Sequence, residues 1–276
     1  MRNLVFDAVL VLVATAMAVG AMLLVRRRAP HGSYFHDGDR AAGVFGVLAT
    51  GFAVLLGFVV FLAFTSYDSA RSGAETEALL VAQQVETAEL FASPQREELM
   101  GHLVCYARSV VGVQWDRMED GTLGEQRNPW AVEMFRTLRT VEPSTASEQS
   151  AYDLWLSQRQ DRETARNDRV HGAVGVIPTP LWVVLFFTSG LIVLYMLFFA
   201  DSGERATVQA LLMGTVVSVL TSMLLLLNLL NNPFHDGVGG LQPVAMERSL
   251  QVIDEEVTDI GFDEALPCDD RGNALG

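Results

Sequence analysis

The sequence contains no lysine: all 19 basic residues are arginine. This is what a high-GC coding composition produces, and no function is read into it. Charge of either sign is also missing over long stretches. Residues 8–25, 41–67, 172–200 and 206–234 carry no Asp, Glu or Arg. Each run is comparable to the roughly 20 residues needed to cross about 30 Å of hydrocarbon, which excludes an ordinary soluble domain. Acidic and basic side chains are absent inside the runs, apart from Asp7 at the edge of the first. Proton relays and ion-coupled transporters generally need such groups, so neither class is supported.

Cysteine is scarce too, with only Cys105 and Cys268. Two residues so spaced make no zinc site and no disulfide framework; a single bridge requires both to lie outside the cytoplasm. No nucleophile elbow, P-loop, zincin motif or dinucleotide fingerprint occurs, so nothing points to an enzyme or a cofactor. The net charge is −14. Residues 67–178 hold 11 Arg against 18 Asp and Glu, and residues 231–276 hold 2 against 10. Without a concentrated basic face, nucleic acid is not a partner.

What is present reads as an all-α membrane protein with four transmembrane helices in two pairs and a helical soluble insert between spans 2 and 3. The first pair occupies 1–66, with spans about 5–25 and 43–66. The charged insert covers 67–178, and the second pair 179–232, with spans about 180–200 and 206–230. A post-membrane segment with an amphipathic helix follows at 233–260, then an acidic tail at 261–276 that is short of apolar residues and expected to be disordered. The first run has small-residue sites such as Ala14-Thr15-Ala16, as a signal peptide would. Arg26, Arg27 and Arg28 close it like a stop-transfer flank, so it is read as a retained span.

Arginine placement addresses sidedness in this multi-pass cell-membrane protein. Arg26, Arg27, Arg28, Arg40 and Arg205 lie in the two short loops, against Arg2, Arg71, Arg166 and Arg169 near spans on the other side. Short loops inside would put the N-terminus, the insert and the tail outside the cytoplasm, with the opposite topology as the alternative.

From Tyr67 to Ala92 there is no Pro and one Gly, so the second span is expected to run on into water as a single helix of about 50 residues, roughly 75 Å. Ser93-Pro94 is expected to cap a second insert helix to about Asp120, with Leu99, Leu103, Tyr106, Val110 and Val111 on its apolar face. Asn128-Pro129 opens a third through about Val141, and a fourth runs from about Ser147 to Arg169. Arg159, Arg162, Arg166 and Arg169 fall on one face of the fourth helix. An anion-attracting stripe competes there with plain pairing to acidic neighbours, and pairing is the better account. Residues 243–260 offer Leu250, Val252, Ile253 and Val257 for packing on the insert or a neighbouring subunit.

In the second span Ala49, Ala53 and Gly57 are four apart, and in the fourth Gly214, Ser218 and Ser222 repeat the spacing, which permits close helix approach. Thr50, Phe52, Val54, Phe58 and Phe61 are candidates for lining an uncharged pathway gated by dewetting. In Asn231-Asn232-Pro233-Phe234-His235-Asp236, Pro233 ends the fourth span, and helix termination outweighs a ligand site. His31, His36, Asp37 and Asp39 in the first loop are read as solvated, and no metal is expected.

Several stretches together carry a resemblance: Gly51 to Val60 (GFAVLLGFVV), Glu77-Ala78-x-Leu80, Tyr106 with Val110, Val111 and Trp115, then Arg169, Pro178 to Trp182, and Asn232-Pro233-Phe234-x-x-Gly237. In order and spacing, over about 41–256, the chain resembles the four-span bestrophin-like proteins of bacteria and plants. It is more distantly similar to the bestrophins, pentameric anion channels whose second helix lines the pore. Matching Leu56-Gly57-Phe58 to that helix implies a neck at Thr50, Val54 and Phe58. The tryptophan-rich stretch that follows the second span in bestrophins is replaced here by Ser69 to Ala74, and bestrophins keep both termini in the cytoplasm, contrary to the arginine count. The expectation is a homo-oligomer in the lipid bilayer, a pentamer by analogy, passing inorganic anions. A membrane-anchored scaffold or sensor whose insert binds a protein partner is the alternative.

Overall fold

The computed structural model describes residues 4–122, 127–259 and 266–275. Among these the chain is helical, without a β-strand. The order is α1 (Leu4–Arg26), α2 (Gly38–Ala88), α3 (Gln95–Ser109), a π-helical stretch (Val110–Gln114), α4 (Trp115–Glu119), α5 (Pro129–Leu138), α6 (Ala146–His171), α7 (Thr179–Phe198), α8 (Ala206–Asn231) and α9 (Val244–Asp259). α1, α2, α7 and α8 are long and apolar enough to cross a membrane. The chain forms two compact units. One comprises Met1–Ser66, Gly175–Asn231 and Asp236–Gly239; the other comprises Tyr67–Val174, Asn232–His235 and Gly240–Gly276.

In the first unit α1 lies along α8, so helices of different sequence pairs are neighbours in space. Met22 packs with Met213, Val217 and Ala200. Small residues set the spacing: a Cβ on Gly214 would stand 3.5 Å from Thr15 and Val19, and the Thr15 and Ser218 hydroxyls share a 2.9 Å hydrogen bond. Ser222, the third member of that spacing, is exposed. The Arg26 guanidinium ties the end of α1 to the loop after α7 through the carbonyls of Ser202, at 3.1 Å, and Glu204. Phe45 of α2 stacks on Tyr195 of α7 with centroids 5.9 Å apart. In the first loop, Asp37 caps α2 by accepting the Arg40 amide at 3.0 Å. Asn231 closes α8 and accepts the Ile177 amide at 2.9 Å.

α2 is one uninterrupted helix of 51 residues, because its sequence holds no proline, and Gly73, where it changes from apolar to charged, is kept within the helix. Its C-terminal half enters the second unit, whose core joins Val81, Val85, Leu99, Leu103, Met134, Leu138, Trp155 and Ile253. α6 starts with a capping box in which the Thr145 hydroxyl accepts the Glu148 amide at 3.1 Å and the Glu148 carboxylate accepts the Thr145 amide. Asn128 Oδ1 accepts the Trp130 amide at 2.9 Å, with Pro129 in the first turn. The capping expected of Ser93 does not occur: α3 starts after Pro94, and the Ser93 hydroxyl donates to the Glu97 carboxylate at 2.5 Å instead of accepting a backbone amide. In α9, Ile253 is buried with Met246, whereas Val252 turns outward; Val257 lies outside the residues whose side chains are described.

The expectation of a disordered tail needs correction over 266–275. Cys105 and Cys268 form a disulfide, Cys268 bridges Ala274, and Trp130 Nε1 donates to the Gly272 carbonyl at 2.8 Å. Polar composition understated the tail because a few long-range anchors hold it. Residues 260–265 lie outside the described set. Gly272 has φ +77°, and a Cβ there would strike the Ser109 amide, so this turn requires glycine.

Candidate functional site

Two sets of residues stand out, one on the membrane part of α2 and one inside the second unit. On α2, Phe52, Leu56, Val59 and Ala63 recur at helical spacing and are buried. The opposite face carries Thr50, Val54, Phe58 and Phe61, all exposed in the single chain, Phe58 by 62%. Phe52 is therefore separated from the other lining candidates and belongs to the packed face. Ala53 and Gly57 are also exposed, and a Cβ on Gly57 would meet nothing within 4 Å; Ala49 is half-buried. An uncovered apolar face in a membrane meets either lipid or another subunit.

The second set is a polar ladder between α2 and α6, which run antiparallel. Gly73 starts it: a Cβ would come within 2.6 Å of the Ala165 carbonyl and 2.7 Å of the Arg169 amide, so the two backbones approach as only glycine permits. One turn on, Glu77 and Arg169 are both fully buried. Arg169 Nε donates to one Glu77 oxygen at 2.5 Å and Nη2 to the other at 3.0 Å, a bidentate pair. The Tyr106 hydroxyl of α3 donates to Glu77 at 2.6 Å, and Arg169 Nη2 also reaches Gln114 at 3.1 Å. Two turns further along α2, Gln84 accepts from Arg162 Nη1 at 2.6 Å, and the Arg162 guanidinium lies 4.6 Å above the Tyr106 ring. Thr87 and Gln158 complete the ladder with a 3.0 Å hydrogen bond.

Burial shifts the titration of these groups. It pushes the Tyr106 phenol up, and the neighbouring Glu77 carboxylate pushes it further. For Arg169, burial alone would lower the pKa, but the charge and hydrogen bonds of Glu77 more than offset it, leaving it raised. The ladder holds one carboxylate and two guanidinium groups, and Arg162 Nε makes no hydrogen bond among the described residues. A core with a net charge of +1 is costly to hold unless that charge is used or screened.

Of the turn residues, Phe234 packs edge-on against Trp115 with centroids 5.2 Å apart, and buried Pro233 accepts the Leu241 amide at 2.7 Å. Asn232 and Asp236 are exposed, and His235 is half-buried. The stretches Glu77-Ala78, Tyr106, Trp115, Arg169 and Asn232-Pro233-Phe234, scattered over more than 150 residues of sequence, thus converge in one unit. The arginine face of α6 was legible as a periodic stripe. Its depth was not, because the partners lie 92 and 78 residues away.

Four apolar helices, one of them extended into a helical unit closed by a buried ion pair, define an all-α, multi-pass membrane protein. The bestrophin-like domain matches residues 12–245, and the chain belongs to the bestrophin-like family. Its fold is that of a bacterial bestrophin homologue from Klebsiella pneumoniae. A point variant of that protein is 16% identical, with 92% of this chain and 99% of the other covered at a TM-score of 0.65. A second structure of the homologue, phased on zinc, is 14% identical over 95% and 99% at 0.60. No curated protein sequence matches the chain.

Proposed function

We propose that the chain is one subunit of a homo-oligomeric ion channel, permeable to inorganic anions, with α2 facing the axis. The observation that carries this is the uncovered face of α2. Thr50, Val54, Phe58 and Phe61 form a continuous uncharged stripe, and Ala53 and Gly57 beside it leave room for a neighbouring helix. Several copies brought together on this face would enclose an apolar neck that conducts when wetted and closes when dry. Family membership supports the same arrangement, with five subunits by analogy to bestrophins.

The second unit is placed outside the cytoplasm in this reading. The Cys105–Cys268 disulfide requires an oxidising compartment, and the arginine-rich short loops favour the inside.

The test is ion flux from proteoliposomes holding the purified oligomer. Wild-type protein should release chloride, and Phe58→Ala should raise the rate severalfold by widening the neck. A symmetric oligomer that passes no ion, in wild-type and variant alike, would leave the anchored scaffold as the better account.

A further inference from the structure

A cavity of about 190 Å³ in the second unit is lined, among the described residues, by four arginines and no carboxylate: Arg117, Arg127, Arg166 and Arg169. This is unexpected in a segment that carries 18 acidic residues against 11 arginines. At about 30 Å³ per water, the space holds roughly six waters or one small polyatomic ion.

Its amide side chains are held in place from behind. The Ser109 hydroxyl donates to the Tyr106 carbonyl at 2.8 Å and accepts from Gln114 Nε2 at 3.1 Å and Asn128 Nδ2 at 2.8 Å. Each amide nitrogen keeps a second N–H not used by Ser109. The π-helical stretch Val110–Gln114 ends on Gln114, a distortion often found where a helix positions a side chain for use. Part of the wall is the tail, Gly272 to Ala274, held by the disulfide and by Trp130.

We infer that this cavity is a binding site for a small multivalent oxyanion of the phosphate or sulfate type. Planar guanidinium forks match the oxygen edges of such an ion and bind it bidentately, which a spherical chloride cannot exploit. Arg169 is already paired with Glu77, so the attraction rests on Arg117, Arg127 and Arg166. The site shares no residue with the uncovered face of α2 and does not depend on conduction.

Isothermal titration of the full-length oligomer with inorganic phosphate, against sodium chloride of equal ionic strength, tests the inference. Saturable phosphate binding is expected, with affinity lowered at least tenfold by Arg127→Gln with Arg166→Gln. The exposed Arg117→Gln alone should lower it severalfold, and Arg136→Gln, on α5 and outside the cavity wall, should leave it unchanged. Binding should be equal in lipid-free detergent and in phosphatidylglycerol nanodiscs. No saturable heat beyond the chloride control, or equal affinity in Arg117→Gln and the double variant as in wild type, would overturn the assignment. Loss of phosphate binding in the nanodiscs would give the site to a lipid headgroup and also overturn it.

Discussion

Replacing Glu77 by Gln removes the only carboxylate of the buried ladder while keeping its shape. Glu77 accepts three hydrogen bonds, two from Arg169 and one from Tyr106, all shielded from water. Breaking a buried ion pair by removing one partner costs about 3–5 kcal/mol. For a chain of this size that lowers the unfolding midpoint by roughly 6–20 °C. The two single substitutions should not be equal. Glu77→Gln leaves Arg162 and Arg169 together, a buried charge of +2, whereas Arg169→Gln leaves Glu77 and Arg162, which balance. Glu77→Gln should therefore be the more damaging. The double variant should recover about 2–3 kcal/mol relative to the sum, as residues sharing a network do. Thermal unfolding of detergent-solubilised protein, followed by tryptophan fluorescence, measures all three, since Trp115, Trp130 and Trp155 lie in this unit. Additive losses within about 0.5 kcal/mol, or Arg169→Gln unfolding at the lower temperature, would refute the argument.

Two further outcomes follow from local geometry. Gly73→Ala should cost about 1–3 kcal/mol, because its Cβ meets backbone atoms of α6 that cannot turn away, while Gly190→Ala, inside helix α7 with open space around it, should not lower the midpoint. His102, stacked on Trp130, has its pKa lowered by burial, against the opposing charges of Glu133 and Glu98. The unfolded chain then takes up this proton first, so stability holds above about pH 6.5 and falls as the pH drops from there toward the lower folded value. His102→Phe should flatten that limb in denaturation curves measured between pH 7 and 5.

The membrane helices and the 51-residue α2 were legible because their signals are local: uncharged runs, and an unbroken stretch free of proline. Asn128-Pro129 was legible for the same reason. The pairing of Glu77 with Arg169 was half legible. The periodicity of the arginines placed them on one face that looks solvated by composition, but Arg162 and Arg169 of that face lie in the core, since α2 presents Glu77 and Gln84 two turns apart to meet them, while Arg159 and Arg166 stay half-buried. The tail was misread because its order rests on Cys268 and Gly272, single residues whose partners are more than 140 positions away. Burial of Phe52, away from Thr50 and Val54, depends on which side of α2 is packed, and an all-apolar helix gives no periodic signal of that.

The disulfide between α3 and the tail also bears on how the chain is made. Cys105 is synthesised before α7 and α8, and Cys268 after them. The two thiols meet only if the intervening chain crosses the bilayer an even number of times. Should α8 fail to insert after α7, Cys268 would be stranded on the opposite side and the bond could never close. One covalent link therefore records the parity of insertion, and a gel-shift readout of that link picks out chains in which only one of α7 and α8 has crossed.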